Sequence, residues 1–226
     1  MDVPQTDSVR YDVLVDRLLE NFQPTKPVWP VRTRLALWLA LEIGIVLVGV
    51  ATHRADLSQK LQSMQYLLEL TTFIVMGTLA ATLALKTAIP GREATGMELL
   101  LLSMLAVTAT ALISCEAWHN ITSLAEFIRA GIKCALFTTM FAALPWLGLF
   151  WAVRRGAPLA LRTAGALTGA AAFSFAIAVG RLRCPIEDSL HFLTWHILPG
   201  FLGVLLSMLA SVAWLRRRSA MLPRTR

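Results

Sequence analysis

The chain begins with a short amphipathic segment, and six long apolar segments follow it. Residues 8–22 place apolar side chains at three- and four-residue steps, the period of one face of an α-helix. A separate acidic row, Asp12, Asp16 and Glu20, repeats every four residues. The pattern predicts an amphipathic helix whose apolar stripe consists of Tyr11, Leu14, Val15, Leu18 and Phe22.

This predicted helix needs a surface to cover its stripe, because a helix of about four turns is marginal alone in water. Pro24, Pro27 and Pro30 separate it from the first apolar segment. The bilayer or the protein's own loops are one possible cover. The acidic row argues against an anionic lipid surface, which attracts basic faces. We therefore expect a protein partner, contacted by the five stripe residues together with Asp12 and Asp16.

Each of the six apolar segments is about as long as a membrane-spanning helix, roughly 17 to 25 residues. They cover residues 35–51, 66–88, 97–115, 134–152, 159–180 and 193–215. The predicted fold is all-α, a polytopic membrane protein with six transmembrane helices and a short cytoplasmic N-terminal helix. We divide the chain into a partner-binding segment (1–33), a transmembrane domain (34–216) and a basic cytoplasmic tail (217–226).

Composition agrees with a protein that contacts membrane lipids, since 56% of the residues are hydrophobic and only 15% are charged. The net charge of +7 does not indicate a nucleic-acid surface. The basic residues lie at the ends of apolar segments, which is typical of membrane topology. We expect no direct contact with nucleic acid.

The basic residues also orient the chain, because cytoplasmic loops carry an excess of lysine and arginine. With the N-terminus inside a bacterial inner membrane, all but six of the 21 lysines and arginines are cytoplasmic. The six exceptions are Arg54, Lys60, Arg129, Lys133, Arg181 and Arg183. Both termini are therefore predicted to be cytoplasmic.

This orientation places every cysteine and histidine at or near the outer face. They are Cys115, Cys134, Cys184, His53, His119, His191 and His196. Cys134 and Cys184 lie at the same membrane level, where their Cα atoms can come within the roughly 4.4 to 6.8 Å of a disulfide. Thiolate and imidazole ligands together favour zinc, cadmium or copper(I) as a signal. The candidate metal ligands are Cys134, Cys184, His191 and His196, although a spacing of five does not place the two histidines on one α-helical face.

Other interpretations of these residues stay open. Cys134 and Cys184 can form a permanent structural disulfide flanked by interfacial histidines. A membrane thiol-redox protein, or a haem or metal-binding protein, is the main alternative function, although the chain has no Cys-x-x-Cys motif. Glu42 and Glu69 fall inside predicted spans and are either functional or bonded to neighbouring helices. We predict that the protein is not an enzyme and name no certain cofactor.

A set of landmarks occurs in a characteristic order along the chain. Residues 27–30 (Pro-Val-Trp-Pro) precede the first span, residues 89–92 (Ile-Pro-Gly-Arg) close the second, and Cys134 opens the fourth. A GxxxG at residues 165–169 marks the fifth span, and Cys184-Pro185 with Trp195-His196 precede or open the sixth. In this order the chain resembles the NrsF-like family of six-span bacterial anti-sigma factors.

The resemblance implies a function and a partner. In that family the cytoplasmic N-terminal segment sequesters an extracytoplasmic-function (ECF) sigma factor. The paired outer cysteines, which correspond to Cys134 and Cys184, are implicated in sensing oxidising or heavy-metal stress. Cys115 is not part of the family pattern. The resemblance therefore predicts an anti-sigma factor that releases its partner on an outer-face thiol, metal or oxidative signal.

Overall fold

The structure, a computed structural model, describes residues 29–52, 54–115, 123–156 and 158–221, with side chains described as far as Trp214. All regular elements in these ranges are helical. They are α1 (Val31–Ala51), α2 (Leu57–Lys60), α3 (Met64–Thr87), α4 (Gly96–Ser114), α5 (Leu124–Arg154), α6 (Leu161–Arg183), α7 (Ser189–Phe192), a π-helical turn (Leu193–Ile197) and α8 (Leu198–Met221).

Six helices in this described part are long and apolar enough to cross a membrane, which confirms the predicted all-α polytopic fold. They are α1, α3, α4, α5, α6 and the continuous run Ser189–Trp214 formed by α7, the π turn and α8. The predicted N-terminal helix and its seven candidate partner-binding residues lie outside the described residues, as do His53 and His119.

The fourth span differs most from its predicted range. Helix α5 begins at Leu124, where Ser123 accepts a hydrogen bond from the Glu126 N–H, and not near residue 134. Its 31 residues correspond to a length of about 46 Å, which exceeds the roughly 30 Å hydrocarbon core. The first turns of α5 are less apolar than the rest, so the hydropathy pattern missed them.

Helix α6 is the centre of the bundle and is buried along most of its length. It packs against α1, α3, α5 and α8. Small residues allow this close packing. A Cβ atom at Gly165 would lie 2.7 Å from the Ser207 carbonyl oxygen, and one at Gly169 would lie 2.8 Å from the Val204 Cα. The GxxxG motif therefore serves the contact between α6 and α8.

One end of the bundle, which we call the cysteine end, is where α1 and α6 finish and α3, α5 and α7 begin. The Arg54 N–H donates to the Leu182 carbonyl there, which joins the segment after α1 to the last turn of α6. The opposite end holds the Lys86–Glu98 ion pair between α3 and α4, at 2.8 Å. Chemically reactive side chains collect at the cysteine end.

The two glutamates inside spans have different surroundings. Glu69 Oε2 on α3 lies 2.6 Å from Arg181 Nη2 on α6, and both side chains are buried. Glu42 on α1 is also buried, but its carboxylate oxygens have no hydrogen-bond partner among the described residues. The ion pair with Arg181 on a neighbouring span explains why Glu69 is buried. No hydrogen bond from the described residues explains the burial of Glu42.

Candidate functional site

The side chains of the candidate site at the cysteine end come from α5, from the residue after α6, from α7 and from the π turn. Cys134 lies within α5, Cys184 follows directly after the last residue of α6, and His191 lies in α7. His196 lies in the π turn that joins α7 to α8. The structure thus brings together all four residues predicted as metal ligands, and we call them the Cys2His2 cluster.

Local capping fixes the segment that carries three of the four residues. The Asp188 side chain accepts a hydrogen bond from the His191 N–H at 2.9 Å and thereby starts α7. The Ser189 hydroxyl donates to the Ile113 carbonyl at 2.7 Å, which attaches α7 to the end of α4. This short anchored helix sets where His191 points.

The ligand atoms of the cluster are close to one another. Cys134 Sγ lies 3.8 Å from Cys184 Sγ, and Cys184 Sγ lies 3.6 Å from His191 Nε2. One ligand atom from each of the four residues lies within 4.8 Å of the others. Cys184, His191 and His196 are buried and Cys134 is partly buried. Both cysteines are free thiols in this structure.

The π turn corrects the expectation that His191 and His196 do not share a face. Residues five apart on an α-helix point about 140° away from each other. A π turn contains more residues and pairs positions i and i+5, so residues five apart lie nearly above one another. The two imidazole ring centroids are 6.0 Å apart as a result.

Two glycines that the sequence interpretation overlooked make room for the π turn. A Cβ atom at Gly180 on α6 would lie 2.6 Å from His196 Nδ1. A Cβ atom at Gly131 on α5 would lie 2.0 Å from the Trp195 ring. Their sequence signal is only the general tendency of a helical glycine to mark close packing.

The cysteine thiols have different electrostatic surroundings. The hydrogen bond with Cys134 lowers the pKa of the Cys184 thiol, burial opposes this effect, and the hydrogen bond with His191 lowers the pKa further. The net direction is downward, which favours thiolate at Cys184.

An ion-pair network holds the backbone beside Cys184. Arg54 donates to the Cys184 carbonyl at 3.0 Å, to Asp56 at 2.7 Å and to Glu187 at 2.6 Å. Lys60 also pairs with Glu187. Burial alone would raise the pKa of Glu187, but the bonds to Lys60 and Arg54 outweigh it and lower this pKa. The network joins the segment after α1 to the Cys184 loop.

We predict that Glu187→Gln destabilises the protein by about 1 kcal/mol at neutral pH, because it removes a charged hydrogen-bond partner from Arg54 and solvent partly screens this half-exposed carboxylate. A lowered folded-state pKa gives stability that is present above the unfolded value and lost as pH falls through the folded one. The difference from wild type should therefore shrink as pH falls below about 4. Thermal unfolding in detergent measures this difference.

Glu126→Gln is the matched control for Glu187→Gln. Glu126 is an exposed carboxylate on α5 at the same end of the bundle. Glu126→Gln should change the unfolding temperature little. Equal effects of the two substitutions would show that the Arg54 network does not stabilise the loop.

The surroundings of the three cysteines separate Cys115 from the others. A cavity of about 290 Å³ opens beside Cys134, Cys184 and His196, with Lys133 and Arg183 also in its lining. Cys115 is exposed at the end of α4 and is not part of the Cys2His2 cluster. The predicted sensor pair did not include Cys115, and the structure also places Cys115 apart from the other two cysteines.

Comparison with known proteins identifies a family. The sequence model of the NrsF family, described as negative regulator of sigma F, matches residues 18–217. No curated protein and no solved structure matches the chain. The match covers all six candidate spans and the whole Cys2His2 cluster.

Proposed function

The chain belongs to the NrsF family of negative regulators of a sigma factor, and from that premise we propose that it is a membrane anti-sigma factor controlled through the Cys2His2 cluster. The family's role is regulatory and implies a sigma factor as the partner. The partner we propose is of the ECF type, held at the cytoplasmic face of a bacterial inner membrane.

The N-terminal segment is the proposed binding element. Its apolar stripe would cover a hydrophobic groove on the sigma factor, as an amphipathic helix does in many helix-in-groove complexes. Its acidic row would compete for basic surface that the sigma factor offers to promoter DNA or polymerase. The family match begins at Leu18, so this proposal rests mainly on the periodicity of residues 8–22.

The observation that supports a sensor at the other side of the membrane is the convergence of two free thiols and two imidazoles on one point. These residues come from α5, from the C-terminal end of α6 and from the start of the last span. A disulfide or a bound thiophilic metal ion would pull these elements together. Oxidation of the two thiols to a disulfide releases two protons and two electrons, which a peroxide can accept as it is reduced to water.

Helix α6 offers a physical route from the cluster to the cytoplasmic side. Cys184 caps its end, and α6 packs against α1, α3, α5 and α8 along its length. Since α1 follows the N-terminal segment directly, a shift of α6 changes the packing of the span that carries the sigma-binding element. This mechanism requires two packings of the bundle that differ in affinity for the sigma factor.

Topology is the first consequence that can be measured. We expect reporter fusions after residue 30, within residues 153–158 and after residue 216 to report the cytoplasm. Fusions near residues 55, 120 and 186 should report the outer compartment. A cytoplasmic signal at residue 186 would place the Cys2His2 cluster inside the cell and contradict an outer-face sensor.

Co-purification tests the function itself. The full-length chain solubilised from its native membranes should retain a sigma factor, and addition of oxidant or of a thiophilic metal ion should lower the retained amount. Mass spectrometry identifies the partner and gives its type. Absence of any sigma factor in untreated samples would contradict the anti-sigma proposal, and a haem absorption band would favour the cofactor-binding alternative.

A further inference from the structure

The Cys2His2 cluster has the composition and dimensions of a four-coordinate metal site. We propose that Cys134, Cys184, His191 and His196 bind one divalent thiophilic cation of the zinc and cadmium class. The two histidines are then direct ligands of the cation, as the two cysteines are. That the bound cation also releases the sigma factor rests on the proposed function. The metal site itself does not.

The distances support tetrahedral coordination. For zinc–sulfur bonds of about 2.3 Å and zinc–nitrogen bonds of about 2.05 Å, a tetrahedron has sulfur–sulfur edges of about 3.8 Å and sulfur–nitrogen edges of about 3.6 Å. The observed separations are 3.8 Å between the two Sγ atoms and 3.6 Å between Cys184 Sγ and His191 Nε2. Two edges of the site therefore already have the length that a bound metal requires.

The remaining edges are no longer than 4.8 Å, so the site has to close by at most about 1.5 Å to reach tetrahedral distances. Cys134 lies on α5, whereas His196 lies in the π turn. Closure between Cys134 and His196 would move α5 relative to the last span. The same contraction that completes the metal site provides a movement that can be passed along the bundle.

The orientation of His196 suits direct binding of a metal ion. Its Nδ1 pairs with the Thr138 hydroxyl at 3.0 Å. Its Nε2 is buried and has no hydrogen-bond partner among the described residues. Metal-binding histidines commonly donate from the second ring nitrogen to a neighbouring oxygen, which fixes the tautomer. Thr138 supplies that oxygen, and Gly180 leaves space for the ring.

The charge of the completed site suits its burial. A metal ion binds cysteine as thiolate and histidine as neutral imidazole, so two thiolates and two neutral imidazoles would surround a cation of charge +2. The resulting complex is neutral, which avoids the cost of a buried net charge. Magnesium and calcium prefer oxygen ligands, and a monovalent cation would leave one negative charge. The cavity beside Cys134 gives the cation access.

The test is metal titration of the purified full-length chain in detergent, with the thiols kept reduced. One Cd²⁺ per chain should bind and produce thiolate-to-metal charge-transfer absorption in the ultraviolet. Proton release should accompany metal binding. Co²⁺ should give the intense visible bands of tetrahedral coordination. No binding, or an octahedral Co²⁺ spectrum, would overturn the proposal.

Substitutions then test the two histidines. His191→Ala and His196→Ala should each weaken Cd²⁺ binding by more than the roughly 10- to 100-fold that loss of an outer-shell partner costs. Thr138→Val should fall within that smaller range. Cys115→Ser, which changes a thiol outside the cluster, should bind as wild type does. Unfolding temperatures measured without metal show whether each variant is folded.

A rescue variant separates ligation from a structural role. His191→Cys replaces imidazole by another soft ligand and should bind Cd²⁺ better than His191→Ala. If the alanine variants bind Cd²⁺ like wild type, or if His191→Cys is folded yet no better than His191→Ala, the histidines are not ligands. Metal binding without loss of the sigma factor would sustain the site and refute metal-driven release. Release by oxidant from a chain that binds no metal would refute the metal site and still support the proposed anti-sigma function.

Discussion

Replacing both Leu14 and Leu18 by aspartate should weaken capture of the sigma factor by at least about 100-fold. Each buried leucine contributes roughly 1.5 to 3 kcal/mol to such a contact, and about 1.4 kcal/mol corresponds to a tenfold change in affinity. The two losses together are large enough to abolish micromolar binding. Pull-down of the sigma factor by the solubilised full-length chain, compared with wild type at equal protein level, measures the effect.

Val13→Asp is the control for this double substitution. Val13 lies about 100° around the predicted helix from Leu14 and about 140° from Leu18, on the side of Glu20, so the variant adds a charge outside the apolar stripe. It should retain the sigma factor, and the membrane domain should insert normally in every variant. Wild-type retention by the double variant would show that another part of the chain binds the partner.

The fold could be predicted from sequence because the hydrophobicity of long segments determines it. Long apolar runs with basic residues at their ends leave few alternatives to a bundle of spanning helices. The hydropathy pattern did not predict the start of α5, because the residues around Arg129 and Lys133 are too polar to be counted as part of an apolar span. Their helix is stabilised by the Ser123 cap and by packing of Phe127 on Trp195.

The composition of the candidate site was also visible in the sequence, but its geometry was not. Cys184, His191 and His196 are close along the chain, and Cys134 was expected at the same membrane level. The alignment of the two histidines depends on a π turn, which has no dependable sequence signature. The π turn also requires the space that Gly131 leaves on α5 and Gly180 leaves on α6. Such tertiary contacts are not readable from local periodicity.

The Cys2His2 cluster should respond to an oxidant and to a metal ion through different sets of residues. A disulfide needs only Cys134 and Cys184, whereas a four-coordinate metal site also needs His191 and His196. His191→Ala should therefore lose the response to cadmium and keep the response to peroxide. Sigma-dependent transcription measured with each stimulus distinguishes the two. Loss of both responses in His191→Ala would mean that the histidine supports the fold of the site and not metal binding alone.

Cys134→Ser and Cys184→Ser should each abolish the response of sigma-dependent transcription to both oxidant and cadmium. Each substitution removes one sulfur from the 3.8 Å pair, so neither a disulfide nor a site with two thiolates can form. The double variant should resemble the single ones, because the two thiols act as one unit. We expect a loss of essentially the whole induced signal, with unchanged repression when no stimulus is present.

Protein level and basal transcription must be measured alongside, because they discriminate between a responsive pair and a permanent disulfide. A permanent disulfide stabilises the fold, so its loss would lower the amount of protein and release the sigma factor constantly. Cys115→Ser is the control, since Cys115 is an exposed thiol outside the Cys2His2 cluster, and it should respond as wild type does. Single variants at Cys134 and Cys184 that accumulate normally and still respond would refute the thiol pair as the sensor.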